Sequence, residues 1–222
     1  MRDDLWELDL DTLVWTKRWP LPGITDDTVP GPEPRYFHSA TSWGSHSLVV
    51  FGGQTVVAPE AGGATAEPSS DEADTQVQLH TLADLAVWDI ASGKWNLPSP
   101  CCREGVAPPV GRYAHLGVVS EAHDSRNPGV AVRARLTLLG GQDALNRYLF
   151  ERHVLDLNRM EWVAADALGR NVGGYRSVAV ASEWTVNQAG RSGELESSAS
   201  STRPDENALE PIIVFTNAEV SQ

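Results

Sequence analysis

Apolar residues in this chain gather in runs of four to eight, rich in Val, Leu, Ile, Phe and Trp and bounded by Gly, Pro, Asn, Asp or Ser. Runs of that length and composition predict short β-strands. The stretch "YFHSATSWGSHSLVVFGGQ" (36–54) shows the pattern: a Ser-rich opening, a polar turn, the run Leu48–Phe51, then paired glycines.

The pattern repeats. "PRYFHSATSWG", "GRYAHLGVVS" and "GGYRSVAVAS" align on Tyr36, Tyr113 and Tyr175, at separations of 77 and 62. A second element follows, "LVVFGGQ" (48–54) and "LTLLGGQD" (136–143), with "IIVFTN" (212–217) as a worn third copy. The third element is a strand ended by Asp9, Asp89 or Asp156, a short polar turn, and a strand carrying Trp15, Trp95 or Trp162. An aspartate that bonds its own backbone favours such a turn. Each unit is thus four short antiparallel strands, a sheet that cannot bury both faces alone. Radial stacking of such sheets is the β-propeller solution.

These residues carry a resemblance: Arg-Tyr-x-His, Gly-Gly, Asp and Trp, in that order, resemble the kelch repeat. The resemblance implies an all-β, kelch-type propeller in which the diglycine ends the second strand and the tryptophan packs between blades. Gly52, Gly53, Gly140, Gly141, Trp15, Trp95 and Trp162 would then be structural, as would Tyr36, His38, Asp89, Tyr113, His115 and Asp156. The third copy departs from the pattern with Thr216 and Asn217 in place of the glycines. The expected arc is incomplete, about three blade equivalents: a half blade over 4–19, full blades over 36–98 and 112–164, and a half blade over 175–217. Propellers close with about 4–8 blades, so the expectation is a piece of a longer protein or an arc that borrows blades from a partner. Residues 55–80 and 187–210, rich in Ala, Gly, Pro, Ser and acid, are expected as flexible insertions, and 121–134 as a smaller one.

Composition narrows the function classes. Hydrophobic residues make up 41%, enough for a core, and the formal charge is −13. An acidic chain gains nothing from phosphate backbones or anionic lipid, so neither nucleic acid nor membrane insertion is expected. The opening "MRDDLWELDL" carries acid where a secretory signal needs base, and no run nears the roughly 18 apolar residues of a spanning helix. A cytoplasmic location follows, with the cell cortex as a refinement. Cys101 and Cys102 are adjacent, a spacing too strained for an ordinary scaffold disulfide, and are expected as reduced thiols.

No catalytic constellation outweighs its structural reading. His38 and His115 could be metal ligands, but their repeat equivalence favours strand packing, and Ser177 stands at that place in the third copy. Galactose oxidase, a kelch-like enzyme, uses copper with a Tyr–Cys crosslink; here the cysteines follow a Trp strand with no His or Tyr pattern beside them. "GRSGE" (190–194) is no nucleophile elbow, and the phosphate-cradling Gly-rich lysine loop is absent. Hence no catalytic, metal or cofactor site is expected. Arg35 and Arg112 precede their first strands and would either form a basic rim for a protein partner or make salt bridges within the repeat. The leading expectation is a non-catalytic protein-interaction scaffold. "RYFHSATSWGSHSLVVFGGQ" and "GGQDALNRYLFERHVLDL" also resemble fungal kelch proteins of Ras signalling and cell morphogenesis, which implies a Ras-pathway or polarity component as partner. The alternatives are a metal-dependent propeller enzyme of the galactose-oxidase kind and the substrate-recognition part of a ubiquitin-ligase adaptor.

Overall fold

The structure, a computed structural model, describes residues 3–20, 30–57, 78–124, 127–169, 177–181 and 212–215. Strands form four sheets, and among the described residues there is no helix and no sheet closes on itself. Sheet I is the hairpin β1 (Leu5–Leu8) and β2 (Trp15–Trp19). Sheet II runs in chain order through β3 (Ser39–Trp43), β4 (Ser47–Val57), β5 (Gln78–Asp89) and β6 (Lys94–Asn96). Sheet III holds β7 (Cys101–Cys102), β8 (Leu116–Asp124), β9 (Asn127–Leu139), β10 (Glu151–Asp156) and β11 (Glu161–Ala167), in the order β8-β9-β10-β11-β7. Sheet IV is the hairpin β12 (Val178–Ala181) and β13 (Ile212–Phe215). Every pairing is antiparallel except β7 with β11.

Period-two alternation gives sheet II two buried faces. Val49, Phe51, Leu85 and Val87 pack on Ala134, Leu136, Leu138, Leu155, Leu157 and Trp162 of sheet III. The intervening Val50, Ala86 and Trp88, with Trp95, meet Leu5 and Trp19 of sheet I. Burial of each large side chain here is worth about 1.5–3 kcal/mol, so these two seams hold the sheets in sequence. Aromatic edges line both: Trp162 stands edge-on to Phe51 at 5.9 Å, and Trp19 to Trp88 at 6.4 Å. At the other end β8 approaches both β3 and β12. A Cβ on Gly117 would sit on the Ser39 hydroxyl, so β8 needs glycine there to come this close.

The aspartate turns share one geometry. Asp9, Asp89 and Asp156 each accept a backbone N–H from the residue three further on, Thr12, Ser92 and Arg159. The next residue in each turn is left-handed: Leu13 (φ 58°), Gly93 (φ 64°) and Met160 (φ 50°). Asp9 also accepts the bond expected two residues on, from the Asp11 N–H, alongside the third-residue bond.

Three expectations change. Residues 121–134 are not a loop: β8 and β9 run on through them as a long hairpin, pairing Glu121 with Ala134 and Ala122 with Arg133. Cys101 and Cys102, for which the sequence predicts no strand, form a short edge strand, Cys101 pairing with Glu161 and Cys102 with Trp162. The 55–80 insertion is strand at both ends, Val57 pairing with Gln78. Its middle, like Tyr175, Thr216, Asn217 and residues 187–210, lies outside the described residues.

Candidate functional site

The Tyr-x-His opening and the diglycine meet as one corner, built twice. In sheet II the Tyr36 amide donates to the Gln54 carbonyl at 3.1 Å and its carbonyl accepts from the Gln54 amide at 2.9 Å. In sheet III Tyr113 exchanges the same bonds with Gln142, at 3.0 and 2.9 Å. The next residue is left-handed in both, Phe37 (φ 55°) and Ala114 (φ 51°). So are the glycines: φ is 61° and 96° at Gly52 and Gly53, and 58° and 93° at Gly140 and Gly141. A Cβ on Gly53 would lie 2.7 Å from the Tyr36 carbonyl oxygen, and one on Gly141 would lie 2.7 Å from the His115 Cβ. Both dihedral and space therefore demand glycine. The pair ends the strand in β9 but lies inside β4, which bulges at Phe51–Gly53 and continues to Val57.

Each corner is clamped by its arginine. Arg35 donates from Nη1 to the Gly52 carbonyl at 3.1 Å and grips Asp84 with both Nη1 and Nη2 at 2.7 Å. Arg112 donates from Nη1 to the Gly140 carbonyl at 3.2 Å and from Nη2 to Glu151 Oε1 at 2.5 Å. The arginines are buried, Arg112 completely, with their carboxylate partners on the open side. The two guanidinium groups offered as a basic rim thus face inward, and the salt bridge within the repeat is the arrangement seen. Burial holds Arg112 below its ordinary pKa, though a guanidinium keeps its proton. Burial also pushes Glu151 up, but the hydrogen bonds from Arg112 and His153 outweigh it and hold the carboxyl below its usual range. Corner and corner are stapled by backbone: Gly53 N–H donates to Arg112 O, Arg112 N–H to Leu82 O, and Ala114 N–H to Phe37 O, at 2.9–3.0 Å.

The histidines divide. His38 is exposed, yet desolvation, with the Arg35 charge behind it, lowers its pKa. His115 is buried edge-on to Phe51, with Nε2 2.9 Å from the Ser39 hydroxyl. Burial, helped by the Arg112 charge, pushes its pKa down to about 3, so the ring is neutral. His153 Nε2 lies 3.0 Å from Glu151 Oε1, the oxygen that also takes Arg112. Among the described residues no three His, Cys, Asp or Glu side chains gather as a metal site. Cys101 and Cys102 are exposed free thiols, the Cys101 sulfur 3.6 Å from the Met160 carbonyl.

Around the two corners aromatic rings come together on one surface. Phe37 lies 4.8 Å from Tyr36 and 6.2 Å from Tyr113. The Tyr113 hydroxyl donates to Asn146 Oδ1 at 2.6 Å, and burial with nearby Tyr148 raises its pKa. A separate cleft of about 410 Å³ opens between β3, β8 and β12, lined by the small or polar side chains of Thr41, Ser42, Ser120 and Ala179, with Glu121.

Trp95 and Trp162 are buried in the two seams between sheets, whereas Trp15 is 61% exposed. The sequence reading missed Asp84, Glu151, His153 and Ser39. Asp84 and Glu151 each stand five residues before their turn aspartate, and aligning the Asp strands would have exposed them. Ser39 and Phe37 carry no such signal, because their contacts cross between sheets. No protein-family model matches the chain, and no curated protein matches it.

Proposed function

We propose that the chain is an arc of a kelch-type β-propeller serving as a non-catalytic protein-interaction scaffold. The observation carrying this reading is the repetition of the corner, with matching left-handed residues, tyrosine–glutamine exchange and arginine clamp in two consecutive sheets, one of four strands and one of five. Its ionisable groups are turned to structural use inside the corners, which leaves recognition to the loops and rings at the surface. The narrower proposal is a regulator in small-GTPase signalling or cell polarity, working in the cytoplasm or at the cell cortex; the likeness of "RYFHSATSWGSHSLVVFGGQ" and "GGQDALNRYLFERHVLDL" to fungal kelch proteins supports it.

The test is direct binding of the purified chain to Ras-family GTPases loaded with GDP or a GTP analogue. Saturable, nucleotide-sensitive binding is expected, and its absence across the family removes the narrower proposal. Metal analysis of the same protein tests the wider one: copper or iron at one equivalent per chain would replace the scaffold reading with the oxidase alternative.

A further inference from the structure

The two end sheets are halves of the unit that sheets II and III complete. In sheet IV, Val178 pairs with Phe215 as Ser39 pairs with Phe51 and Leu116 with Leu139, each pair standing directly before the diglycine or the Thr216-Asn217 that replaces it in sequence. Strands β12 and β13 therefore match β3 and β4. In sheet I, Trp15 pairs with Leu8 as Trp95 pairs with Trp88 and Trp162 with Leu155. Strands β1 and β2 therefore match β5 and β6. The order β3-β4-β5-β6 puts β4 beside β5, yet among the described residues β13 pairs with β12 alone and β1 with β2 alone. Each half presents the edge that the other half fits.

The exposed faces repeat this complementarity. Trp6 and Trp15 share one face of sheet I, and Val178, Val180 and Ile213 share one face of sheet IV, all of them 46–61% exposed. In the complete sheets the same places are buried: Trp95 and Trp162 stand where Trp15 does, and Ser39 and Leu116 stand where Val178 does. Phe51 of the preceding sheet covers Trp162, and His115 of the following sheet covers Ser39. The bare face of sheet I is thus one that a preceding sheet covers elsewhere, and that of sheet IV one that a following sheet covers. Within one chain sheets II and III stand between the halves, and three sheets are too few for a ring that takes about 4–8. A second copy set head to tail supplies both edges and both faces at once. We propose that β13 of each copy joins β1 of the other, with Ile213 opposite Glu7, as Val49 stands opposite Val87 and Thr137 opposite Val154 in the complete sheets. Two such joints complete two four-stranded sheets and close a two-fold ring of about six.

This rests on reading the chain as a propeller arc, and its test is separate from GTPase binding. Sedimentation equilibrium of the purified chain over a range of concentrations should show a monomer–dimer equilibrium that stops at the dimer. With Cys101 and Cys102 changed to serine, the pair Glu7→Cys and Ile213→Cys should give a covalent dimer on mild oxidation, because cross-strand neighbours lie within disulfide reach. Lys17→Cys with Ile213→Cys, one strand farther away, should not. The double variant Trp15→Ala, Ile213→Asp should weaken dimerisation at least tenfold, since the aspartate stands against Glu7. Its dilute monomer should unfold at a midpoint close to the parent's, as both side chains lie at the surface of the single chain. A monomer at every concentration, a ladder of larger assemblies, a crosslink within one chain, no crosslink, or unchanged dimerisation of the double variant would each overturn the ring. GTPase binding by a monomer would leave the scaffold reading standing, and a dimer without GTPase binding would remove the narrower functional proposal alone.

Discussion

Trp15 and Trp162 hold the same place in their hairpins and share almost nothing else. Trp15 pairs across its turn with Leu8 and Trp162 with Leu155, each partner standing one residue before the turn aspartate. The turns between them match in capping bond and in left-handed residue. Yet Trp162 is 3% exposed, covered by Phe51 of the preceding sheet, and Trp15 is 61% exposed. His115 and His38 repeat the contrast: Ser39 and Phe51 of the preceding sheet cover the first, while the second is exposed. The repeat thus encodes hairpins and corners locally, and the neighbouring sheet supplies the burial.

The sharpest way to break this comparison is to truncate the tryptophans. Trp162→Ala and Trp95→Ala should each cost about 3–5 kcal/mol, since each opens a seam between sheets. Trp15→Ala should stay within about 0.5 kcal/mol, as exposed positions do. Denaturant unfolding measures all three, and a Trp15 variant as damaging as Trp162→Ala would show that burial follows the hairpin after all.

The arginine clamps come next. Glu151→Gln leaves Arg112 fully buried without its carboxylate and also disturbs His153, and should cost about 1.5–3 kcal/mol. Asp84→Asn should cost less, because the Asp84 side chain is 44% exposed and water can replace part of the bidentate pair. Equal losses would mean that the clamp acts alike whatever the cover on its carboxylate.

What the sequence made legible follows the same division. Strand order, the Asp turns, the diglycine and the placing of Trp95 and Trp162 are local or period-two properties, and each could be read from repeated residues. The strand continuation through 121–134 was hidden because Asn127, Pro128 and Gly129 look like loop, although β8 and β9 pair across them. Cys101 and Cys102 gave no strand signal, since two residues join an edge only because β11 is already there. The inward turn of Arg35 and Arg112 depends on Asp84 and Glu151, 49 and 39 residues away, so composition alone could not decide between rim and clamp.

Acid should separate the two histidines. The folded pKa of His115, about 3, lies below its unfolded value, so stability is full above roughly pH 6.5 and falls as the unfolded chain takes up a proton that the native one refuses. By pH 5 this amounts to about 2 kcal/mol. His38 and His153 are lowered as well and add in the same direction. His115→Gln, which keeps a partner for Ser39, should flatten the stability profile between pH 7 and 5 more than His38→Gln does. Identical flattening would place the two rings in equivalent surroundings, against the burial contrast.

The smallest effect isolates the local half of the comparison. Leu13 and Gly93 occupy the same left-handed turn position, at φ 58° and 64°, and neither needs the space for packing: Leu13 is 71% exposed, and a Cβ on Gly93 would meet nothing within 4 Å. Any difference between leucine and glycine there is backbone conformation alone. An L side chain in this region costs roughly 1–2 kcal/mol, partly offset by the 0.5–1 kcal/mol of chain entropy that glycine loses on folding. Gly93→Leu should therefore lower stability by up to about 1 kcal/mol, and Leu13→Gly should raise that of sheet I by a similar amount. Local opening of sheet I, followed by amide exchange at the Trp15–Trp19 strand, reads the second change even if global unfolding does not. If Leu13→Gly speeds that exchange, the turn relies on its side chain, and the hairpin is less self-sufficient than its matched geometry implies.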